Sequence, residues 1–313
     1  MSREKSIFIL INPAAGKGNI KTFPKSNLIE AGYKVEEQLS RGLGDCTRRV
    51  RKALKNGFTT IVIVGGDGTI NEAVNGFFED DRLINPSASL AFYPSGTGSD
   101  FGRTVLKNCR KMEKIKLLEM IENGIIKKVD TGKVIFKDKN GRLKQRYFVN
   151  VMDGGLGAET AYLVNKKKKK GEGLLTYLKQ VFAAVFRYRN RIFKLKVDGV
   201  EKFSAAANTA VVANGKYFGG GLKIAPDAEV DSGYLEVVLL ADVTVSAIFL
   251  NLYRLFTGSI YQHPKVLHFR AKTVEFSAEP EVKIELDGET PGFAPVKAVV
   301  CPKSLNLLLP RQD

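Results

Sequence analysis

Three short runs in the first third of the chain, 7–11, 61–64 and 90–93, are apolar at every position. A run that is apolar on both alternating faces is typical of a central strand in a parallel sheet covered by helices on both sides. Three stretches between and after these runs have the apolar spacing of helices: Cys46–Asn56, Thr69–Phe78 and Asn108–Ile121. Strands that alternate with helices predict a doubly wound α/β layer.

The pattern changes after about Asp130, where short segments rich in β-branched and aromatic residues are separated by Gly, Asp and Asn. These segments are predicted as strands: Thr131–Phe136, Gln145–Val151, Phe193–Val197, Thr209–Ala213, Tyr234–Leu240, Lys265–Arg270 and Val282–Leu286. Short strands with frequent turn signals are typical of an antiparallel sandwich. Two longer apolar stretches, Leu174–Arg187 and Val245–Phe256, predict helices that interrupt the sandwich.

The length of 313 residues, with 44% hydrophobic content, is more than one core usually carries and favours two domains. We predict an α/β plus β protein, with an N-terminal doubly wound α/β domain over residues 1–128. A C-terminal antiparallel β-sandwich domain is predicted over residues 129–302, and the linker between the two is expected at Gly124–Gly132. The C-terminal tail, 303–313, is a candidate to pack back onto the first domain.

The charge balance is strongly basic, with 49 Lys and Arg against 33 Asp and Glu and a net charge of +16. A charge of this size favours anionic partners such as phosphates, nucleic acid or acidic lipid head groups, although it can also serve solubility alone. No helix-turn-helix, zinc or aromatic ribonucleoprotein pattern is present, so nucleic acid is not expected as a partner.

Cysteine and histidine are too sparse for several kinds of site. Cys46, Cys109 and Cys301 form no Cys-x-x-Cys pair, which argues against structural zinc and a disulfide framework and suits a reducing compartment. Only His263 and His268 are available for histidine chemistry. No apolar run reaches the roughly 18–20 residues that span a bilayer. We therefore expect a cytoplasmic protein, with peripheral membrane association as a further possibility.

A glycine-containing loop follows each of the three early strands: Asn12–Gly18, Gly65–Thr69 and Pro94–Asp100. The carboxyl ends of parallel strands lie at one edge of the sheet, where ligands bind, so the three loops should converge. Glycine lets backbone amides approach a phosphate closely. A helix starting at Thr69 or Asn71 would point its N-terminal amides at the same anion. The sequence therefore predicts a nucleotide-phosphate site.

Two common nucleotide signatures are absent. No Gly-x-x-x-x-Gly-Lys-Ser/Thr sequence occurs, and neither Gly66–Gly68 nor Gly96–Gly98 is extended to Gly-x-Gly-x-x-Gly. A Walker ATPase and a Rossmann dinucleotide enzyme are therefore disfavoured. Asp67 would repel phosphates unless a cation such as Mg²⁺ lay between them. The alternative is that Asp67 caps the helix that follows.

Together these motifs resemble the diacylglycerol kinase catalytic family, which includes bacterial soluble diacylglycerol kinases, sphingosine kinases and ceramide kinases. The resemblance rests on several segments in the right order: Asn12-Pro13, Gly65–Glu72, Pro94–Arg103, Asn214–Gly221, Ala225–Ala228 and Leu286–Glu289. NAD kinases share the Gly-Gly-Asp-Gly-Thr loop and are more distant.

The resemblance implies a nucleotide-binding N-terminal domain, ATP and Mg²⁺ as cofactors, and a set of site residues. It assigns ATP contacts to Asn12, Pro13, Ala14, Ala15, Gly16, Ser40, Gly66, Asp67, Gly68, Thr69, Ile70, Asn71, Glu72 and Thr97. It assigns a water-mediated Mg²⁺ network to Asp67, Asp100 and Asp130. Catalytic roles fall to Asp67 and to a general base in the Asp-Gly-Glu motif, with Glu289 favoured over Asp287. A structural Mg²⁺ at Asp231 is doubtful, because Ser232 precedes Gly233 where relatives have Asp.

The implied activity is transfer of the γ-phosphoryl group of ATP to a lipid hydroxyl, with diacylglycerol giving phosphatidic acid as the favoured reaction. The alternatives are another acceptor, such as a sphingoid base or NAD, and a nucleotide-binding module without catalysis. The lysine run Lys166–Lys170 is either a solvated loop or a docking patch for anionic membrane. The helices Leu174–Phe186 and Ala247–Phe256 are candidate walls of a lipid slot, or simply pack one face on the sandwich. The sequence gives no indication of oligomeric state.

Overall fold

The computed structural model describes residues 6–15, 23, 25–95, 98–106, 114–167 and 182–311. The chain divides into two compact units. Unit 1 comprises Met1–Thr131 together with Pro302–Asp313, and unit 2 comprises Gly132–Cys301. Two strands run from one unit into the other. Ile125–Lys137 begins in unit 1 and ends in unit 2, and Glu289–Leu309 begins in unit 2 and ends in unit 1.

Unit 1 is an α/β layer built on a parallel sheet. Its strands are β1 (Ser6–Ile11), β2 (Lys34–Leu39), β3 (Thr60–Gly65), β4 (Phe78–Glu79), β5 (Arg82–Leu83), β6 (Ser89–Pro94), the first half of β7 (Ile125–Lys137) and the end of β19 (Glu289–Leu309). Its helices are α1 (Ser26–Glu30), α2 (Asp45–Lys55), α3 (Asp67–Phe77), α4 (Asp100–Val105) and α5 (Lys114–Asn123). The sheet order is β2-β1-β3-β6, all parallel, and β19 joins β6 in parallel at Leu307.

The three apolar runs form the centre of this sheet, as predicted. Every residue of β1 is buried, and β3 and β6 are buried over most of their length. Helix α2 buries Val50, Ala53 and Leu54 and ends before Gly57, whose φ of +85° a residue with a side chain adopts rarely. The predicted α/β class of this part of the chain is confirmed.

Unit 2 is antiparallel and rich in strands. Besides the ends of β7 and β19 in this unit, its strands are β8 (Leu143–Phe148), β9 (Val151–Gly155), β10 (Arg191–Val197), β11 (Val200–Ala207), β12 (Thr209–Ala213), β13 (Tyr217–Phe218), β14 (Leu222–Lys223), β15 (Leu235–Leu240), β16 (Val266–Ala271), β17 (Thr273–Glu279) and β18 (Lys283–Leu286). Its helices are α6 (Leu156–Lys167), α7 (182–187), α8 (Val245–Leu250) and α9 (Tyr253–Thr257), followed by a 3₁₀ turn at Ile260–Gln262.

One ladder of unit 2 runs β16-β15-β12-β9-β18-β19, and a second joins β11, β10, β17 and β19. The pairs β12–β15, β12–β9, β15–β16, β18–β19 and β18–β9 are antiparallel. Side chains from both ladders meet in one apolar core that includes Phe193, Val237, Phe276 and Ile284. The predicted antiparallel β class of this part of the chain is confirmed.

Several predicted boundaries differ from the structure. The two units divide between Thr131 and Gly132, inside the predicted linker Gly124–Gly132, but most of that segment lies in β7, where Val129, Asp130 and Thr131 are buried. Helix α3 begins at Asp67, two residues earlier than the prediction of Thr69.

Two of the predicted helices are changed in extent. The stretch predicted as one helix from Val245 is divided into α8 and α9, and the Asn251 side chain donates to the carbonyl of Ala247 where α8 ends. Of the predicted helices at Asn108–Ile121 and Leu174–Arg187, residues 108–113 and 174–181 lie outside the described residues. None of the helices in the described ranges is long and apolar enough to cross a membrane.

Candidate functional site

The glycine-containing loops of unit 1 lie at the same edge of the sheet, at the carboxyl ends of three adjacent parallel strands. β1 pairs with β3, and β3 pairs with β6, over almost their full length. The loops are joined at the backbone, where the N–H of Asn12 donates to Val64 O at 2.9 Å and that of Ser95 to Gly65 O at 3.0 Å. The predicted ATP contacts Gly16 and Thr97 lie outside the described residues.

Asn12 connects the first loop to the first turn of α3. Its side-chain Nδ2 donates to Oγ1 of Thr69 at 2.8 Å, and its Oδ1 accepts the N–H of Ala14 at 2.9 Å. Its carbonyl accepts the N–H of Ala15 at 3.1 Å, which closes a tight turn through Pro13. The amides of this turn and of α3 are therefore held in a fixed relation, as a phosphate site needs.

Gly65, the last residue of β3, allows the first turn of α3 to approach the strand. A Cβ at Gly65 would lie 2.6 Å from Cβ of Thr69, and rotation of the Thr69 side chain cannot relieve an overlap with its Cβ. The close approach brings the α3 amides to the edge of the sheet. A helix leaves the N–H groups of its first turn without partners inside the helix, so this end of α3 can bind an anion.

We expect Gly65→Ala to lower the free energy of unfolding by about 1–3 kcal/mol, because the added carbon overpacks a site where the backbone of α3 must move. Urea unfolding of the purified protein measures this. Gly42→Ala is the matched control, since nothing lies within 4 Å of a Cβ at Gly42. Equal stability of the two variants would show that α3 can shift at no cost.

Asp67 is the first residue of α3, and its carboxylate is directed to the next loop. Oδ2 accepts the N–H of Asp100 at 3.1 Å and Oδ1 accepts that of Phe101 at 3.2 Å. The carboxylate thus caps α4, whereas the N-cap position of its own helix belongs to Gly66. Burial raises the pKa of Asp67, and the backbone amides of 99–101 act in the opposite direction.

A second carboxylate lies beside Asp67. A Cβ at Gly98 would be 3.2 Å from Oδ2 of Asp67 and 3.6 Å from Oδ2 of Asp100, so both oxygens border the same small space. Arg103 is 3.5 Å from Asp100 and donates from Nε to the carbonyl of Gly98 at 3.1 Å. The loop therefore combines two carboxylates and one guanidinium within a few residues.

The residues of this loop fit Mg²⁺ bound together with a nucleotide better than a metal held by protein alone. Across the described ranges, no cluster of three or more Asp, Glu, His or Cys side chains could hold a metal. Mg²⁺ usually keeps several waters and binds through one or two carboxylates plus substrate phosphates. Asp67 and Asp100 supply two such carboxylates next to the predicted phosphate site.

The third member of the predicted Mg²⁺ network, Asp130, is fully buried in β7. Its Oδ1 accepts the N–H of Lys303 at 2.7 Å, next to a hydrogen bond between Thr131 and Ser304 of 2.9 Å. Asp130 therefore anchors the C-terminal segment of unit 1, and its part in a Mg²⁺ network stays a prediction.

Other predicted ATP contacts have clear structural partners in unit 1. The Glu72 carboxylate accepts the N–H groups of Gly44 at 2.9 Å and Cys46 at 3.1 Å, and so caps α2. Asn71 and Ile70 are buried. Ser40 follows β2 at the same sheet edge, with its N–H donating to Ile11 O at 2.8 Å. Whether any of these side chains contacts ATP stays a prediction.

The Asp-Gly-Glu motif of unit 2 forms the turn between β18 and β19. Asp287, with φ of +46°, is buried, and its carboxylate accepts three backbone N–H groups. The donors are Val149 at 2.9 Å, Asn150 at 3.1 Å and Val151 at 2.9 Å. This carboxylate therefore holds the 149–151 segment, which leaves it little capacity to accept a further proton from a substrate.

Glu289 is more accessible than Asp287 and has a different partner. One of its oxygens lies 2.7 Å from Nη1 of Arg146, on β8, and both side chains are partly exposed. Sequence reasoning did not identify Arg146, because its pairing with Glu289 spans 143 positions and no local motif marks it. The arginine orients the carboxylate while leaving it open to solvent.

Asp231, the doubtful structural metal ligand, is exposed in the turn that follows Val230. Ser232 takes part in this turn through its N–H to Glu229 O at 3.2 Å and its hydroxyl to Tyr234 O at 3.3 Å. The assignment of a metal to Asp231 stays a prediction.

Comparison with known proteins identifies both halves of the chain. Residues 150–309, more than half of the chain, match the YegS C-terminal NAD kinase beta sandwich-like domain, and residues 6–134 match the diacylglycerol kinase catalytic domain. Over 306 residues the chain is 26% identical to a diacylglycerol kinase of Staphylococcus carnosus, an alignment that covers 97% of this chain and 94% of that protein.

Two solved structures share the fold. A diacylglycerol kinase from Bacillus anthracis aligns with a TM-score of 0.72 at 23% identity, over 98% of both chains. A yeast NADH kinase complexed with NADH aligns with a TM-score of 0.53 at 10% identity, over 99% of this chain and 84% of that one. Because the two domain matches span most of the sequence, the chain belongs to the kinase family that joins a diacylglycerol kinase catalytic domain to a YegS-type C-terminal domain.

Proposed function

We propose that this kinase transfers the γ-phosphoryl group of ATP to a lipid hydroxyl, with diacylglycerol as the acceptor and phosphatidic acid as the product. The observation that supports this most is the Asp67 loop, in which two carboxylates and the first turn of an 11-residue helix border one small space. Phosphoryl transfer needs positioning and charge neutralisation more than covalent chemistry, and this loop offers both.

In this proposal the phosphates of ATP bind the amides of the Asn12–Ala15 turn and of the first turn of α3. The Asn12–Thr69 hydrogen bond of 2.8 Å holds these two sets of N–H donors in a fixed relative position. Asp67 and Asp100 would hold Mg²⁺ with its waters, and the ion would neutralise phosphate charge there. Arg103, 3.5 Å from Asp100, offsets part of the acidic charge of this loop.

Glu289 is the general base of the proposed reaction. It accepts the proton from the lipid hydroxyl, and Arg146, 2.7 Å away, holds the carboxylate in one orientation. Asp287 is the less suitable base, because its oxygens already accept three backbone N–H groups. A positioned base of this kind contributes about 10²–10⁴ in rate.

The experiment that tests the activity is a transfer assay with radiolabelled ATP and Mg²⁺ over a panel of acceptors. The panel contains diacylglycerol, monoacylglycerol, a sphingoid base, phosphatidylglycerol and NAD. We expect diacylglycerol to be labelled most efficiently. Labelling of NAD alone would favour the NAD kinase alternative, and binding of ATP without transfer to any acceptor would favour a non-catalytic module.

We further propose that unit 2 contacts an anionic membrane through an apolar surface. This surface is formed by Phe182, Phe186, Phe249, Leu250 and Phe256. Phe249 of α8 stacks on Phe182 at 4.6 Å and lies 5.7 Å from Phe186, both in α7. The side chains of Phe186 and Leu250 are 67% and 76% exposed, and neither α8 nor α9 contains a buried residue.

This surface has the chemistry of an interfacial contact. Exposed aromatic and aliphatic side chains on short helices suit the boundary between head groups and acyl chains, where anionic lipid adds attraction for basic residues. Arg187 is exposed next to Phe186, and Arg254 lies 5.3 Å from the Tyr253 ring. Of the lysine run proposed for docking, Lys166 is exposed, and 168–170 lie outside the described residues.

We expect the triple substitution Phe186→Ser, Leu250→Ser and Phe256→Ser to reduce cosedimentation with phosphatidylglycerol vesicles by about tenfold or more, because it removes apolar area from the membrane contact. The matched control is Leu143→Ser, which changes an exposed leucine at the first position of β8. Unreduced binding of the folded triple variant would contradict the proposed surface.

A further inference from the structure

Two carboxyl side chains of unit 2 are buried against each other. Asp153 on β9 and Glu285 on β18 lie directly opposite in the antiparallel pairing and are 1% and 8% exposed. Their side chains are within hydrogen-bonding reach. Two carboxyl groups can share a hydrogen bond only when one of them carries a proton, because an ionised carboxylate is an acceptor only.

The surroundings of the pair favour keeping that proton. Burial raises the pKa of Asp153 to about 7, and burial together with the Asp153 charge raises the pKa of Glu285 well above its usual range. The facing groups are Glu159 of α6, Tyr188 after α7 and Asp287 of the next turn. Two cations lie near these groups: Lys283 is paired with Glu159 at 2.7 Å, and the Arg191 guanidinium lies 5.9 Å from the centre of the Tyr188 ring.

The two carboxyls share the proton through their mutual hydrogen bond. Asp153 also accepts the N–H of Ala158 in the first turn of α6, which favours its charged form. The pair as a whole therefore carries one negative charge in place of two.

Glu285 is attached to the turn that carries the proposed base. Its Oε1 accepts the N–H of Gly288 in a short hydrogen bond, and Gly288 is the middle residue of the Asp-Gly-Glu motif. On the other side, a Cβ at Gly157 would lie 2.4 Å from Oδ2 of Asp153, so α6 begins in direct contact with the pair. The pair thus joins the first turn of α6 to the turn of Glu289.

We propose that Glu285 and Asp153 are positioning residues, an acid pair that shares one proton and holds the Asp287–Glu289 turn in place for catalysis. This inference rests on the proposed function, in which Glu289 is the base. With one proton shared, Glu285 anchors Gly288 while the pair places one negative charge, and not two, behind Asp287 and Glu289. Loss of the shared proton would leave two buried carboxylates facing each other, and their repulsion would displace the turn.

The first test compares Glu285→Gln with Glu285→Ala in the full chain. Glutamine is neutral at every pH, accepts from Gly288 through Oε1 and donates to Asp153 through Nε2. We expect kcat of Glu285→Gln at neutral pH to stay within about threefold of the parent. At alkaline pH the parent loses the shared proton and its kcat should fall. The kcat of Glu285→Gln should fall less, because glutamine has no proton to lose. Glu285→Ala should lower kcat by more than about tenfold with little change in KM for ATP.

The second test detects the proton without using activity. Difference infrared spectroscopy of the full chain at neutral pH should show the C=O band of a protonated carboxyl group. Glu285→Gln should remove the band, and Glu281→Gln, an exposed residue outside the pair, should keep it. This measurement does not depend on activity, so it remains informative even if no lipid in the acceptor panel is phosphorylated. The absence of a shared proton can therefore be distinguished from failure of the proposed function.

Two results would overturn the proposal. Absence of the protonated band in the parent would show that no proton is shared. A folded Glu285→Ala variant with the kcat and pH profile of the parent would show that the pair does not position the turn, whatever its protonation.

Discussion

Asp67→Asn should lower kcat by about 10³-fold or more, since it removes a negative charge from the space that Asp67 and Asp100 border and leaves one carboxylate for the metal. The amide oxygen can still accept one of the two N–H bonds from Asp100 and Phe101, now 3.1 and 3.2 Å long. The structural change is therefore smaller than with Asp67→Ala, which removes both acceptors. Steady-state kinetics over a range of Mg²⁺ concentrations measures the effect.

Asp138→Asn is the matched control for the loss of a capping carboxylate. Asp138 accepts the N–H groups of Asn140 at 2.8 Å and Arg142 at 3.0 Å in an exposed turn of unit 2. It should keep the kcat of the parent. An Asp67→Asn protein that unfolds at the parent temperature, binds ATP and retains normal turnover would contradict the role of Asp67.

Glu289→Gln should lower kcat by about 10²–10⁴ while KM for ATP changes little, because the amide cannot accept the hydroxyl proton. Glutamine keeps the size of the side chain and can still accept a hydrogen bond from Arg146. Arg146→Gln should cause a smaller loss, since it removes the group that orients the carboxylate and leaves the base itself. Initial rates with saturating lipid and varied ATP separate the two effects.

Glu275→Gln controls for the loss of an ion pair in unit 2. Glu275 pairs with Lys297 at 2.9 Å on the surface of β17, where such pairs contribute little. Its kcat should match that of the parent. If Glu289→Gln behaved like Glu275→Gln, and Asp287→Asn instead abolished turnover in a folded protein, the base would be Asp287.

The strands that were predicted correctly share one physical feature, burial on a face that the sequence pattern marks. β1 and β3 are buried almost throughout, and their apolar runs show it directly. β2 was not predicted, because its sequence, Lys34–Leu39, is largely polar and its residues are half-buried or exposed at the edge of the sheet. The 21 residues of β19 were not predicted either, since Pro295 and Pro302 interrupt the pattern that marks a strand.

The candidate site likewise combines features that the local sequence marks with contacts that it does not mark. Three glycine-containing loops, each after a buried strand, predicted a phosphate site from sequence, because glycine lets backbone amides approach an anion closely. The contact of Asp67 with α4 crosses 33 positions, and that of Glu289 with Arg146 crosses 143, so neither leaves a local signal. The sequence did not distinguish Asp287 from Glu289 as candidates for the general base, because their hydrogen-bond partners are distant in the chain.

By itself the sequence determined the central strands β1, β3 and β6, the α/β and antiparallel β classes, and the glycine loops, since each depends on residues close together in the chain. Tertiary structure alone decided which carboxylates of those motifs accept backbone hydrogen bonds. It directed Asp67 to α4 and Asp287 to three amides, and it left Glu289 accessible. It also placed Asp153 opposite Glu285, where burial raises the pKa of both carboxyls. Charge and proton binding depend on what surrounds a group, and these surroundings come from residues distant in the sequence.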